Sequence, residues 1–158
     1  MPLYATNNRL AGTQQNLSTT FKTLAAIKAA TATLKRGKII ELGFGADGAP
    51  NATDCQIVYD VSRQTADATA TAATPNPKDP ADTASGSVAQ VNATVEGTIT
   101  AASSLWSKAL NQRASQIWYA KDAENALIWP ATNLAGLAFR ALSPTYAAPA
   151  LVDIVHQE

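Results

Sequence analysis

Hydrophobic and polar positions alternate along much of this chain with a period of two, the mark of strands that bury one face. In "GKIIELGFGADG", Ile40, Leu42 and Phe44 alternate with Glu41, Gly43 and Gly45, and Asp47-Gly48 supplies a turn. "CQIVYDVSR" repeats the pattern, with Cys55, Ile57, Tyr59 and Val61 on one face and Gln56, Val58, Asp60 and Ser62 on the other. Two successive alternating strands argue for an antiparallel sheet.

Further strands are expected at about 95–104, 113–120, 126–129, 136–142 and 149–156, separated by breaks that contain Asn, Asp, Pro and Ser. Residues 17–34 are ambiguous. Leu17, Phe21, Leu24, Ile27 and Leu34 fall at helical spacing with Ala between them, whereas four Thr residues between 20 and 33 suit a strand. Residues 66–94, with Pro75, Pro77 and Pro80, are expected as a long surface excursion carrying one short strand at 67–73 and a helical turn at 81–84. Residues 1–19 are polar, with Leu3, Tyr4 and Leu10 as isolated apolar anchors, and are expected as an extended N-terminal arm that orders on another surface. The fold expected is all-β: a single antiparallel β-sandwich or barrel of about eight strands over 20–158, behind that arm.

Composition narrows the partners. Twelve Lys and Arg balance twelve Asp and Glu, and no run of five like charges occurs, so neither nucleic acid nor an anionic membrane is an expected partner. Charged residues make up only 15% of the chain, against about 25% in ordinary soluble domains, which suits a surface covered by neighbours. No run approaches the ~18 apolar residues of a membrane span, and no basic-then-apolar leader opens the chain, so a soluble protein is expected.

Candidate chemistry is sparse. The one histidine, His156, lies two residues from the end, where a frayed strand is a poor place for a catalytic base. A single His, a single Cys (Cys55) and scattered carboxylates offer no ligand cluster, and "DGAPNATD" lacks the ligand order of a calcium loop. No cofactor or metal is expected. "GFGADG" does not open a helix after a strand and reads as a turn, and the sequons at Asn16, Asn51 and Asn92 are uninformative in a Thr-rich chain. Asp60 and Glu96 are the only candidates for a pair of glycosidase carboxylates, and solvent-facing strand positions explain them more simply. Trp106, Trp118 and Trp129 suit either a sugar-stacking platform or packing, with packing favoured.

Several segments together carry a resemblance. The opening "MPLYATNNRLAG" is one. Lys22–Ile27 matches a K-T-(L/I)-x-x-(I/L) strand, and Lys35-Arg36-Gly37-Lys38 a basic step. Phe44–Gly48 matches a strand ending in G-x-(D/N)-G, Asp79–Asp82 a D-P-A-D element, Leu110–Ala114 an L-N-Q-R-A strand, and Pro130–Thr132 a P-A-T turn. Over nearly its whole length the chain resembles small head proteins of tailed bacteriophages, the capsid decoration or cement proteins.

The resemblance implies a jelly-roll-like sandwich, not an enzyme, that binds the major capsid protein on the outer face of an icosahedral virion, commonly as homotrimers at local threefold positions. It also tips 20–34 toward strand. Leu3, Tyr4, Arg9 and Leu10 of the arm are the expected capsid contacts. The strands at 110–114 and 127–129 are expected to form a hairpin, with Trp118 and Trp129 buried within the sandwich or between subunits. The rival readings are a carbohydrate-binding sandwich, a small glycosidase, and a low-copy tail or fibre component.

Overall fold

The computed structural model describes residues 1–122 and 124–158. Among these residues it contains no helix, and twelve strands follow one another along the chain. They are β1 (Leu3–Asn7), β2 (Lys22–Ala29), β3 (Gly37–Ala46), β4 (Gln56–Ala66), β5 (Thr69–Ala73), β6 (Asn76–Pro77), β7 (Ser87–Val95), β8 (Thr98–Asn111), β9 (Gln116–Tyr119), β10 (Leu127–Trp129), β11 (Gly136–Leu142) and β12 (Ala150–Gln157).

Two antiparallel sheets share one core. The first runs β10-β3-β12-β1-β6, with β9 also on β3, and the second runs β5-β7-β2-β11-β4-β8. The pairing is nested: β1 with β12, β2 with β11, β3 with β9 and β10, and β4 with β8. A long hairpin folded over on itself pairs in this way, and the result is a jelly roll. Ile39, Leu42, Phe44, Val152 and Ile154 from one sheet meet Leu24, Ile27, Ile57, Tyr59, Val61, Leu137 and Phe139 from the other. Phe44 and Tyr59 touch across the interface with ring centroids 4.7 Å apart.

Residues 20–34 form a strand where they are regular, and the helical spacing has a physical cause. Between Phe139↔Ala25 and Arg140↔Thr23 the register slips by one residue, so Leu24 is an extra, bulged residue. Leu24 and Ile27 therefore both reach the core at a spacing of three. A second slip, between Val155↔Glu41 and His156↔Ile39, puts Ile39 rather than Ile40 in line with the core beside Leu42 and Phe44.

Three expectations are corrected. The N-terminal arm is not a free extension, because β1 lies inside a sheet between β12 and β6, with Tyr4, Asn8 and Leu17 buried. Asn8 makes the polar arm part of the domain: it donates to Asn92 Oδ1 (3.1 Å) and the Ala150 carbonyl (3.0 Å), and accepts from the Val152 amide (2.9 Å). Asn92 answers by donating to the carbonyls of Asn8 (2.8 Å) and Ala11 (2.7 Å).

The excursion at 66–94 extends both sheets instead of leaving them. β7 and β5 add to β2, and β6 adds to β1. The expected hairpin of 110–114 with 127–129 does not form. β9 and β10 lie one after the other along the same edge of β3, and β8 pairs with β4.

Candidate contact surface

One flank of the sandwich, where edge strand β8 of one sheet faces β9 and β10 of the other, carries most of the aromatic character that is open to solvent. β8 reaches it through a bulge. Val61 pairs with Trp106 and Ser62 with Ser104, so Leu105 is an extra residue and turns to the same side as Trp106. Trp106 stacks on Phe44 with centroids 5.2 Å apart. Opposite it, Trp118 lies in register with the core residue Leu42 and is half-buried.

Between them opens a groove of about 420 Å³ whose walls include Leu105, Trp106, Trp118, Tyr119 and Leu127. A second groove of about 650 Å³ shares Leu105, Asn125 and Leu127 and adds Arg36, Arg63 and Ile128. Ile117 and Tyr119 alternate with Trp118 and face outward, 55% and 59% exposed. More than half of each apolar side chain is left in water, beside one another on the same edge.

The expected contact residues are dispersed. Tyr4 is core: it stacks on His156 at 5.3 Å and donates its hydroxyl to the Thr83 carbonyl (3.0 Å). Leu3 is half-buried in β1. Arg9 and Leu10 alone stay open, Arg9 near Asp47 (3.5 Å) and Leu10 88% exposed. Trp129 is wholly buried and donates its indole N–H to the Lys35 carbonyl (3.2 Å). Of the six, Arg9 and Leu10 are exposed, Leu3 and Trp118 are half-buried, and Tyr4 and Trp129 are core, so those that reach the surface lie on two separate regions of the chain.

Neither a protein-family model nor a curated protein matches this sequence.

Asp60, Glu96 and His156 each tie parts of the fold together. Asp60 accepts from Ser62 (2.5 Å), Ser104 (2.5 Å) and both Nε (3.1 Å) and Nη2 (2.6 Å) of Arg140, which caps the Phe21 ring at 4.4 Å. Three of these bonds fall on Oδ2 and one on Oδ1, and the side chain is only 5% exposed, so the carboxylate is an internal anchor for Arg140 and β8. Glu96 accepts from the Thr23 amide at 3.1 Å and 3.0 Å and from its hydroxyl, and so ties the β7–β8 turn to the start of β2.

His156 is not in a frayed end, as the sequence led one to expect. It is fully buried in β12, which is paired on both sides, beside the edge of Trp129. Its Nε2 faces both Ser87 Oγ (3.1 Å) and Glu158 Oε1 (3.3 Å), and its Nδ1 has no partner among the described residues. A nucleophile triad needs serine on one ring nitrogen and the carboxylate on the other. Here both share one nitrogen, so the cluster is a structural clasp.

Burial pushes the imidazole of His156 below its ordinary value, with Glu158 partly opposing. Burial alone would raise Glu158, but donation from Ser85, Ser87 and the Gly86 amide outweighs it and leaves that carboxyl low. On the outer face of the first sheet, burial and the nearby charge of Glu41 raise Asp153.

A continuous apolar edge signals itself in sequence only as "SLWSKAL" and "QIWY". The bulge that turns Leu105 beside Trp106 has no local marker, so the flank could not be read before the strands were paired.

Proposed function

We propose that this chain is a structural virion protein that binds the outer surface of an icosahedral phage capsid and ties neighbouring capsomers together. The exposed flank of Leu105, Ile117 and Tyr119, beside half-buried Trp106 and Trp118, carries the reading. It is apolar surface in place for another protein, on a scaffold whose buried carboxylates and histidine are occupied internally. The low charge content and the resemblance to phage head proteins point the same way.

The major capsid protein is the proposed partner, with the flank and the Arg9–Leu10 turn as its contacts. Tyr4 and Trp129 have no part in that contact, because both are core.

The test is the copy number of the chain relative to the major shell protein in purified particles, by quantitative mass spectrometry. A ratio near one, or another simple large fraction, is expected. A handful of copies would move the protein to the tail or a fibre, and absence from particles would overturn the proposal.

One observation favours a second reading, carbohydrate binding in the groove. Among the described residues, Trp129 donates its indole N–H to the protein, while Trp106 and Trp118, which wall the groove, do not. Glycan binding lost in Trp118→Ala would support that reading.

A further inference from the structure

We propose that the free edge of β8 is a self-association surface, at which two copies of this chain join their sheets antiparallel about a twofold axis. The two sheets end in four edges. Unpaired edges recruit other strands, and proteins blunt those that are to stay free with short strands, proline, bulges or charge.

Three edges are blunted. β6 is two residues long and contains Pro77; β5 is five residues long and slips register between Thr69 and Thr71; β9 and β10 split their edge into pieces of four and three residues. β8 differs, with fourteen residues and a single charged one, Lys108.

Its irregularities are gathered at the N-terminal end, where register slips between Val61 and Ala66 of β4 and Ala102 has φ of 54°. Trp106–Asn111 then pair one to one with Val61–Gln56. Six regular residues are an ordinary strand length. Alternate residues of that segment turn their backbone N–H and C=O groups away from β4, toward no other strand among the described residues.

The occupant follows from the other edges. No second edge of comparable length exists among the described residues, so a copy can meet β8 only with its own β8. A surface that meets itself is isologous and closes at two copies. Charge permits the contact: the chain has a formal net charge of zero, and Lys108 is the one charge along the strand. Any register that keeps Lys108 off the axis avoids setting like charges opposite each other. A trimer, which the phage resemblance implies, would need a heterologous contact that β8 cannot supply at both ends. The inference does not rest on the capsid reading.

The test is the mass of the purified full chain in solution at tens of micromolar, by sedimentation equilibrium. The expected value is twice the 16.5 kDa of one chain. Ala109→Lys, an exposed change that puts a positive charge on the second face of the strand, opposite the face of Lys108, is expected to return the mass of one chain with an unchanged circular dichroism spectrum, while Ala109→Val keeps the double mass. Hydrogen exchange of wild-type protein supplies a readout that needs no variant: amides in residues 106–111 should become more protected as concentration rises. A wild-type monomer or trimer would overturn the proposal, as would a dimer that leaves those amides unprotected.

Discussion

Removing the Trp129 side chain is expected to be the most damaging single truncation, because of what surrounds it. The indole is fully buried, meets His156 edge-on at 5.1 Å, and donates to the Lys35 carbonyl. A Cβ on Gly37 would fall 2.0 Å from Trp129 Cζ2, so the ring rests directly on a backbone with no side chain to relax into a void. Large-to-alanine changes at buried aromatics cost about 3–5 kcal/mol, and more where the site cannot collapse. The orphaned Lys35 carbonyl adds to that, so Trp129→Ala should cost about 4–5 kcal/mol, a large share of the roughly 5–15 kcal/mol that holds a domain folded.

In a thermal melt this is a fall of roughly 8–20 °C for a chain of this size. The internal control is Trp118→Ala, which removes a half-buried indole and should cost about 1–2 kcal/mol. A double-mutant cycle sharpens the test. Gly37→Ala clashes with the indole in the native chain but fills part of the void in Trp129→Ala, so its cost should shrink or reverse there. If Trp129→Ala costs under about 2 kcal/mol in urea, or no more than Trp118→Ala, or if the two changes at 37 and 129 add independently, the placement of the indole is wrong.

Asp60→Ala should cost about 3 kcal/mol by urea titration, because it leaves the guanidinium of Arg140 buried without its carboxylate; a loss under 1 kcal/mol would mean that the ion pair is not desolvated. Both His156 and Glu158 have folded-state pKa values below their unfolded ones, so each contributes stability that is complete above the unfolded value and is lost as pH falls. The urea midpoint should therefore drop from about pH 7 downward through the histidine range and again below the carboxylate range, and His156→Asn should flatten the upper step. Asp153 has the opposite sign: its raised pKa makes the ionised form a burden at neutral pH, so Asp153→Asn should raise the midpoint at pH 7 and not at pH 3. Deleting residues 1–15 should give no cooperative unfolding transition, since it removes β1, Tyr4 and the Asn8–Asn92 clasp together; a folded, truncated protein would restore the arm as a separate element.

How far the site could be read from sequence depends on where each residue's partner lies. Tyr4 and Leu10 look alike as lone apolar residues on a polar stretch, yet one is core and the other is 88% exposed. Their difference lies in the pairing of β1 with β12, over 140 positions away in the chain. Trp118 and Trp129 are likewise indistinguishable by composition. Each takes its depth from the residue it opposes on β3, Leu42 in one case and Gly37 in the other. Asp60 stands out in sequence as a carboxylate in a strand, but the Arg140 and Ser104 that hold it come from two other strands.

Alternation is a property of consecutive residues, because neighbouring side chains on an extended backbone must point to opposite faces. The sequence by itself therefore determined the all-β class, the inward set Ile57, Tyr59 and Val61 of β4, and the strands near 136–142 and 149–156. Only the tertiary structure decided that a polar N-terminus is an internal strand, that a proline-rich excursion widens both sheets, and that two one-residue slips carry Leu24 and Ile39 into the core. Each of these turns on hydrogen bonds to distant strands, which satisfy polar backbone and side chains that would otherwise stay in water. A chain read locally holds no record of those partners.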